Sequence, residues 1–153
     1  MRGKVKIIAL FAFMAFVSNF IWEPWHASYL YASHAFNLSF WPLMIYAAGV
    51  DALLLLVIFF GGALLWKNWR WFLRADVARQ NFYVVIAGVV IALIVEVKAV
   101  YIFQQWTYSN FMPTVFGIGV SPLAQLALTG LLSLSIARQA IKMDNKIKQN
   151  SLI

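Results

Sequence analysis

Long apolar stretches separated by short polar segments dominate the pattern along this chain. Four stretches are long enough to cross a bilayer as helices, which takes about 20 residues each, and they cover residues 5–25, 41–66, 82–104 and 112–137. Little chain remains outside them for a soluble domain. The pattern therefore predicts an all-α polytopic membrane protein, in which residues 1–153 form a single integral membrane domain with a four-transmembrane-helix bundle.

The first apolar stretch follows basic residues, as the apolar part of a signal peptide also does. Its end, however, holds the bulky residues Trp22, Pro24 and Trp25, and no small-x-small cleavage site stands at the expected place. We therefore expect this stretch to be retained as the first helix.

Basic residues mark one side of the predicted membrane. Eleven of the twelve Lys and Arg residues lie in residues 2–6, residues 67–79 and the tail after Ile136, whereas segments 26–40 and 104–111 carry no charge. By the positive-inside rule, both termini and the middle loop are cytoplasmic. Within that loop we expect residues 67–74 to form a short interfacial helix.

The net charge of +7 is explained by this topology and by contact with anionic membrane lipids. Basic residues held against a bilayer are poorly placed for a nucleic acid, so we predict no nucleic-acid partner. The absence of Cys excludes thiol–disulfide exchange and thiolate metal sites.

Three of the five carboxylates, Glu23, Asp51 and Glu96, lie inside or at the edge of apolar stretches. A charge deep in a bilayer costs about 3 kcal/mol on insertion scales, so such residues usually face a bundle interior or a water-filled cavity. From the outer helix ends, Asp51 lies about 13 Å deep, Glu96 about 10 Å and Gln125 about 18 Å. We therefore predict one outward-facing pocket that these three residues and Glu23 share.

Helical spacing supports the same pocket, because two rows of polar residues each occupy one helix face. The rows are Asn19, Glu23 and His26 on helix one, and Ser121, Gln125, Thr129 and Ser133 on helix four. Small polar residues of the second row can also serve simply to join helices. Pro122, with the glycines before it, predicts either irregular backbone that lines a cavity or an ordinary kink in helix four.

Lys98 is the one cation in the interior of a predicted span. It either pairs with a carboxylate across the bundle or extends its amine to the membrane surface. Trp22, Trp106 and Tyr108 lie near the outer boundary, where aromatic side chains form an interfacial belt or wall a ligand pocket.

A metal site is a weaker interpretation of the same region. Glu23 and His26 have the Glu-x-x-His spacing of carboxylate-bridged sites in helical bundles, but those sites use two such motifs and this chain has one. The other histidine, His34, falls in the outer loop. We therefore predict no metal ligand and no cofactor.

Many of these residues stand in a characteristic order. Trp22-Glu23-x-x-His26-x-x-x-Leu30-Tyr31 precedes Asp51 and Glu96, which are followed by Trp106-x-Tyr108-Ser109-x-x-Met112-Pro113 and Gly117-x-Gly119-x-Ser121-Pro122-Leu123-x-Gln125. Over most of the chain, this order resembles a group of small bacterial four-helix inner-membrane proteins. The resemblance implies a multi-pass protein of the bacterial inner (cytoplasmic) membrane, and it implies no particular activity. In architecture alone, the chain is also similar to the emopamil-binding-protein-like (EXPERA) membrane proteins, some of which isomerise sterols.

Three functions are compatible with these residues, and the first is favoured. In the first, the pocket binds a lipophilic or amphiphilic small molecule, with or without converting it by acid–base chemistry. The candidate catalytic residues are then Glu96, Asp51 and Glu23, and the candidate ligand-binding residues are Trp22, His26, Lys98, Trp106, Tyr108, Ser121 and Gln125.

The second function is a proton- or cation-coupled carrier. It would need a homo-oligomer, because the chain has no inverted repeat and residues 52–60 offer no polar path to the inner side. The third is an accessory subunit, whose buried carboxylates only fix helix packing.

Overall fold

Four long apolar helices pack as an all-α bundle in the computed structural model, which describes residues 2–32 and 39–150. The helices are α1 (Arg2–Leu30), α2 (Phe40–Leu65), α3 (Val77–Val97) and α4 (Val120–Asn150). Each is long and apolar enough to cross a membrane, with candidate spans of 25 to 27 residues. The predicted fold class is confirmed, and the chain is a multi-pass membrane protein. His34 lies outside the described residues.

Helices α1, α3 and α4 each begin or end outside their predicted limits. α1 continues through Pro24 to Leu30, and α4 continues past residue 137 to Asn150. The start of α3 is also earlier, at Val77 rather than residue 82, because the Asp76 side chain accepts a hydrogen bond from the Arg79 backbone N–H at 3.1 Å and so caps the helix. Hydropathy finds the span, whereas capping and polar helical turns decide where a helix begins and ends.

The segment before α4 is a hairpin, so the prediction that helix four starts at residue 112 is wrong. Strand β1 (Thr114–Val115) pairs antiparallel with β2 (Ile118–Gly119). Between them Phe116 and Gly117 have φ of 50° and 75°, as a tight hairpin turn requires and a right-handed helix forbids. Of the two alternatives for Pro122, the ordinary kink is wrong, because Pro122 lies in the first turn of α4, where its missing N–H breaks no helical hydrogen bond.

The link between α2 and α3 is folded into the core instead of forming the predicted interfacial helix. Only Trp71–Leu73 makes a single 3₁₀ turn among the described link residues. Trp71 and Phe72 are fully buried, and the Trp71 indole N–H donates to the Phe59 carbonyl at 3.1 Å. Two aromatic side chains gain more from burial between helices than from an interfacial position.

Around this link the interior of the bundle is closely packed. The buried core joins the parts of all four helices that lie nearest the link, with Phe11 and Phe59 in ring contact at 4.8 Å and Trp66 stacked on Trp71 at 5.1 Å. α1 packs against α2 and α4, and α3 packs mainly against α4. α2 and α3 meet where the Tyr83 hydroxyl donates to the Ile58 carbonyl at 2.9 Å. This end of the bundle is therefore closed.

Arg138 also anchors this end, which the sequence did not reveal because the residue was assigned to a polar tail. Its guanidinium is buried and donates to the Phe72 carbonyl at 2.8 Å and to Gln80 Oε1 at 3.0 Å. Gln80 in turn donates to the Arg74 carbonyl at 3.2 Å. The charge thus ties α4 to the link and to α3.

The basic residues collect at the same end of the bundle, which favours the predicted topology. Lys4 Nζ lies 5.2 Å from the Trp69 ring centroid, so the start of α1 adjoins the basic α2–α3 link. Arg138 brings α4 to the same link.

A reporter fused after Ile153 should therefore lie in the cytoplasm, because basic residues stay on the cytoplasmic side. A reporter inserted after Asn110 should lie outside the cytoplasm. Paired phosphatase and fluorescent-protein fusions measure this. An external reporter at Ile153 would contradict the orientation.

Candidate functional site

Polar side chains gather inside the half of the bundle that lies away from the link. All three helices that carry the predicted carboxylates contribute, together with α4, and the side chains border a cavity of about 280 Å³. Among its lining residues are Glu23, His26, Asp51, Glu96 and Gln125. The predicted convergence of Glu23, Asp51, Glu96 and Gln125 in one cavity is confirmed, whereas their chemical roles stay predictions.

Gln125 is the centre of the first polar group. Its Nε2 atom lies 3.1 Å from Asn19 Oδ1, 2.5 Å from Glu23 Oε1 and 2.7 Å from Asp51 Oδ2. An amide nitrogen has two hydrogens, so three acceptors from α1 and α2 share them. One α4 side chain thereby joins three helices.

This arrangement corrects the predicted depth of Gln125. Because α4 begins at Val120, Gln125 lies about 8 Å from the helix start rather than about 18 Å. It is therefore level with Glu23 and Asp51. The two carboxyl groups that share its amide are close neighbours, and two negative charges at that separation repel strongly in apolar surroundings.

Glu96 is the centre of the second polar group, and its partners are aromatic. Oε1 accepts from the Tyr31 hydroxyl at 3.2 Å, and Oε2 accepts from the Trp106 indole N–H at 3.4 Å and from the Tyr108 hydroxyl. Three donors from uncharged side chains thus surround a buried carboxyl group. Tyr31 was missed as a site residue, although it lies five residues after His26, directly beyond the end of α1.

A change of helix type brings two of these donors back over the site. α3 ends in a π-helical turn at Lys98–Ile102, and Gln104 then adopts φ of 49°. π-Helical turns are rare and frequent at functional sites. The returning segment pairs with the end of α1, where the Ala32 N–H donates to the Thr107 carbonyl at 3.0 Å and the Ser109 N–H donates to the Leu30 carbonyl at 2.9 Å.

The two tyrosines remain hydrogen-bond donors over a wide pH range. Both lie outside the candidate spans. Burial raises the pKa of Tyr31 and Tyr108, and the neighbouring Glu96 carboxylate raises the pKa of each further. Their hydroxyls therefore hold Glu96 in place without competing for negative charge.

The other predicted ligand-binding residues divide between the cavity and its surroundings. His26 and Trp106 line it, and the His26 ring stands edge-on to Tyr31 at 5.0 Å. Trp22 packs against Trp25 at 6.4 Å instead, and its buried indole N–H has no hydrogen-bond partner among the described residues.

Lys98 and Ser121 are not among the residues that line the cavity. Lys98 is exposed on the π-helical turn, and Ser121 is half-buried in the first turn of α4. Of the two alternatives for Lys98, the exposed position fits the one in which its amine reaches the membrane surface.

The cavity lining reaches the outer surface of the bundle at α2. Leu43, Tyr46 and Val50 form its α2 wall, and Ala92 and Val95 form its α3 wall. Tyr46 is 70% exposed and Leu43 is 40% exposed. Because the sides of a membrane bundle face lipid, Tyr46 and Leu43 join the cavity lining to a surface that would meet the bilayer.

Within residues 2–32 and 39–150, no group of three or more His, Cys, Asp or Glu side chains is arranged to hold a metal ion. Comparison with known proteins gives no match to a protein-family model, a curated protein or a solved structure. The site must therefore be interpreted from its own geometry.

Proposed function

We propose that this protein binds a lipophilic or amphiphilic small molecule in the cavity between α2 and α3, which it takes from the outer leaflet of a bacterial inner membrane. The observation that carries the proposal is a cavity within the candidate spans, lined by Glu23, Asp51 and Glu96, whose α2 wall includes the exposed side chains of Leu43 and Tyr46. Carboxyl groups within a membrane cost free energy, and a ligand that needs them would explain their presence.

The lining fits such a ligand in size and chemistry. Its volume of about 280 Å³ is near the lower end of small-molecule sites, which are typically about 300–1,000 Å³ and mostly apolar with a few polar groups. Here the polar groups are the two clusters around Gln125 and Glu96, and most other lining residues are apolar or aromatic. A compact amphiphile would place its polar group between the clusters.

The same geometry supplies acid–base groups to the bound molecule. Glu96, Asp51 and Glu23 are the candidate proton donors and acceptors, and general acid–base catalysis needs such groups within hydrogen-bonding reach of the substrate. Gln125 orients Glu23 and Asp51. Tyr108 orients Glu96 as a positioning residue.

The core around the link favours binding over transport. Between the cavity and the basic end of the bundle lie the buried side chains of Leu55, Phe59 and Trp71. On α4, the Thr129 and Ser133 hydroxyls donate to carbonyls of their own helix, at 2.8 Å and 2.7 Å. A carrier would have to open this core to let its substrate pass. We therefore propose binding, rather than transport across the membrane, as the function.

Native mass spectrometry of the full chain, extracted with surrounding lipid, tests the proposal. We expect a copurified small molecule on the native protein and a loss of about tenfold or more in its occupancy after Val50→Trp, because a bulky ring in the cavity wall displaces its contents. Val57→Trp is the matched control, since Val57 lies two turns further along α2, is exposed and does not line the cavity. Equal ligand occupancy in the two variants would contradict the proposal.

A further inference from the structure

The ionisable side chains around the cavity are mostly acidic. Its lining includes the three carboxylates Glu23, Asp51 and Glu96, and within the described chain it includes neither Lys nor Arg. Their donors are the uncharged groups of Gln125, Tyr31, Trp106 and Tyr108. His26 is the one imidazole in the lining, so even its protonated form would leave an excess of acidic groups.

The aromatic walls are a second, independent feature. Tyr31, Tyr46 and Trp106 all border the cavity, and Tyr31 and Trp106 stand edge to face at 5.8 Å. Aromatic faces attract organic cations, and this attraction strengthens where water is excluded. Carboxylates and aromatic rings together are the surroundings that an organic ammonium group prefers.

We propose that the ligand of this cavity is a cationic amphiphile, an amine or quaternary ammonium with a short apolar chain, and the proposal rests on the function proposed above. The ammonium lies between the Glu23–Asp51 pair and Glu96, against Tyr31 and Trp106. The apolar chain extends along the α2 wall, past Tyr46 and Leu43, toward the bilayer. The positive charge relieves the repulsion between the two carboxylates that share Gln125.

The test compares three probes that have the same chain and different head groups. Octyltrimethylammonium, octanol and octyl sulfate are titrated against the full chain in phosphatidylcholine nanodiscs, with tryptophan fluorescence as the readout. The Val50→Trp variant and empty nanodiscs measure partition into the bilayer. We expect the ammonium to bind about tenfold or more tightly than octanol, as charge-assisted and cation–π contacts imply, and octyl sulfate to show no saturable binding.

Variants then assign the charge preference to the site. Glu23→Gln should remove the advantage of the ammonium over octanol, while Asp76→Asn, which changes a carboxylate that caps α3 outside the cavity, should keep it. If Glu23→Gln does not fold, the relative affinities of the three probes for the native chain still test whether the ligand is cationic. Octanol or octyl sulfate binding as tightly as the ammonium would overturn the cationic ligand and leave the proposed function standing. Failure of all three probes, without a copurified molecule on the native chain, would overturn both.

Discussion

Gly88→Ala is expected to destabilise the bundle by about 2 kcal/mol, as overpacking of a close contact typically does. A Cβ at Gly88 would stand 2.9 Å from the Ala127 nitrogen, 3.0 Å from the Ala127 Cα and 3.1 Å from the Leu126 carbonyl carbon. All three are backbone atoms of α4. No side chain can rotate away to make room, so α3 and α4 must move apart.

Gly49→Ala is the matched control, because the same methyl group on α2 would meet nothing within 4 Å. Its stability should be unchanged or slightly higher, since alanine is the better helix former by about 1 kcal/mol. Thermal unfolding of both variants in one detergent, followed by tryptophan fluorescence, measures the difference. Equal unfolding temperatures would mean that α3 and α4 do not approach as closely as described.

The same substitution should also disturb the site. Gly88, Ala92 and Glu96 are buried at intervals of four residues on one face of α3, so a displacement of α3 at Gly88 carries Glu96 with it. The Gln125 cluster on α4 would stay behind. We therefore expect Gly88→Ala to weaken ligand binding even where the variant remains inserted.

The sequence predicted the four spans and the convergence of the carboxylates for one physical reason. Lipid penalises both exposed backbone and exposed charge, so apolar length marks the helices and rare acidic residues mark the interior. For Glu23, Asp51 and Glu96, an interior position can therefore be predicted from the apolar residues around them in the sequence, before their partners in space are known. The four-residue spacing from Gln125 to Ser133 also predicts which face of α4 points to the interior of the bundle.

The sequence could not predict features that depend on packing partners. Arg138 resembles part of a solvated tail until the Phe72 carbonyl and Gln80 are brought to it. Trp106 and Tyr108 were placed at the outer boundary, but the partner they share, Glu96, becomes visible only after the π-helical turn reverses the chain. The hairpin before α4 depends on positive φ at Phe116, which hydropathy does not register.

Glu96→Gln and Asp51→Asn are each expected to abolish function while the protein stays inserted and folded. An amide keeps the shape of the carboxyl group and one acceptor oxygen, but it removes the charge and the titration. The Gln125 amide can still donate to an amide oxygen in place of Asp51 Oδ2, and the Trp106 indole N–H and the Tyr108 hydroxyl can still donate to one in place of Glu96 Oε2. Neutral interhelical hydrogen bonds in membrane proteins contribute about 0.6 kcal/mol each, so the cost to folding should be small.

Loss of function with retained stability would separate a working site from a structural one. If the carboxyl groups act as acid–base or ion-binding groups, then charge is the property that matters, and both amide variants should fail a complementation assay while unfolding within a few degrees of the native chain. Asp76→Asn makes the same chemical change outside the cavity, where an asparagine caps a helix about as well, and it should complement fully. Normal complementation by both cavity variants would instead mean that the carboxyl groups only hold the helices together, as in an accessory subunit. The two results differ because hydrogen bonding survives the substitution and negative charge does not.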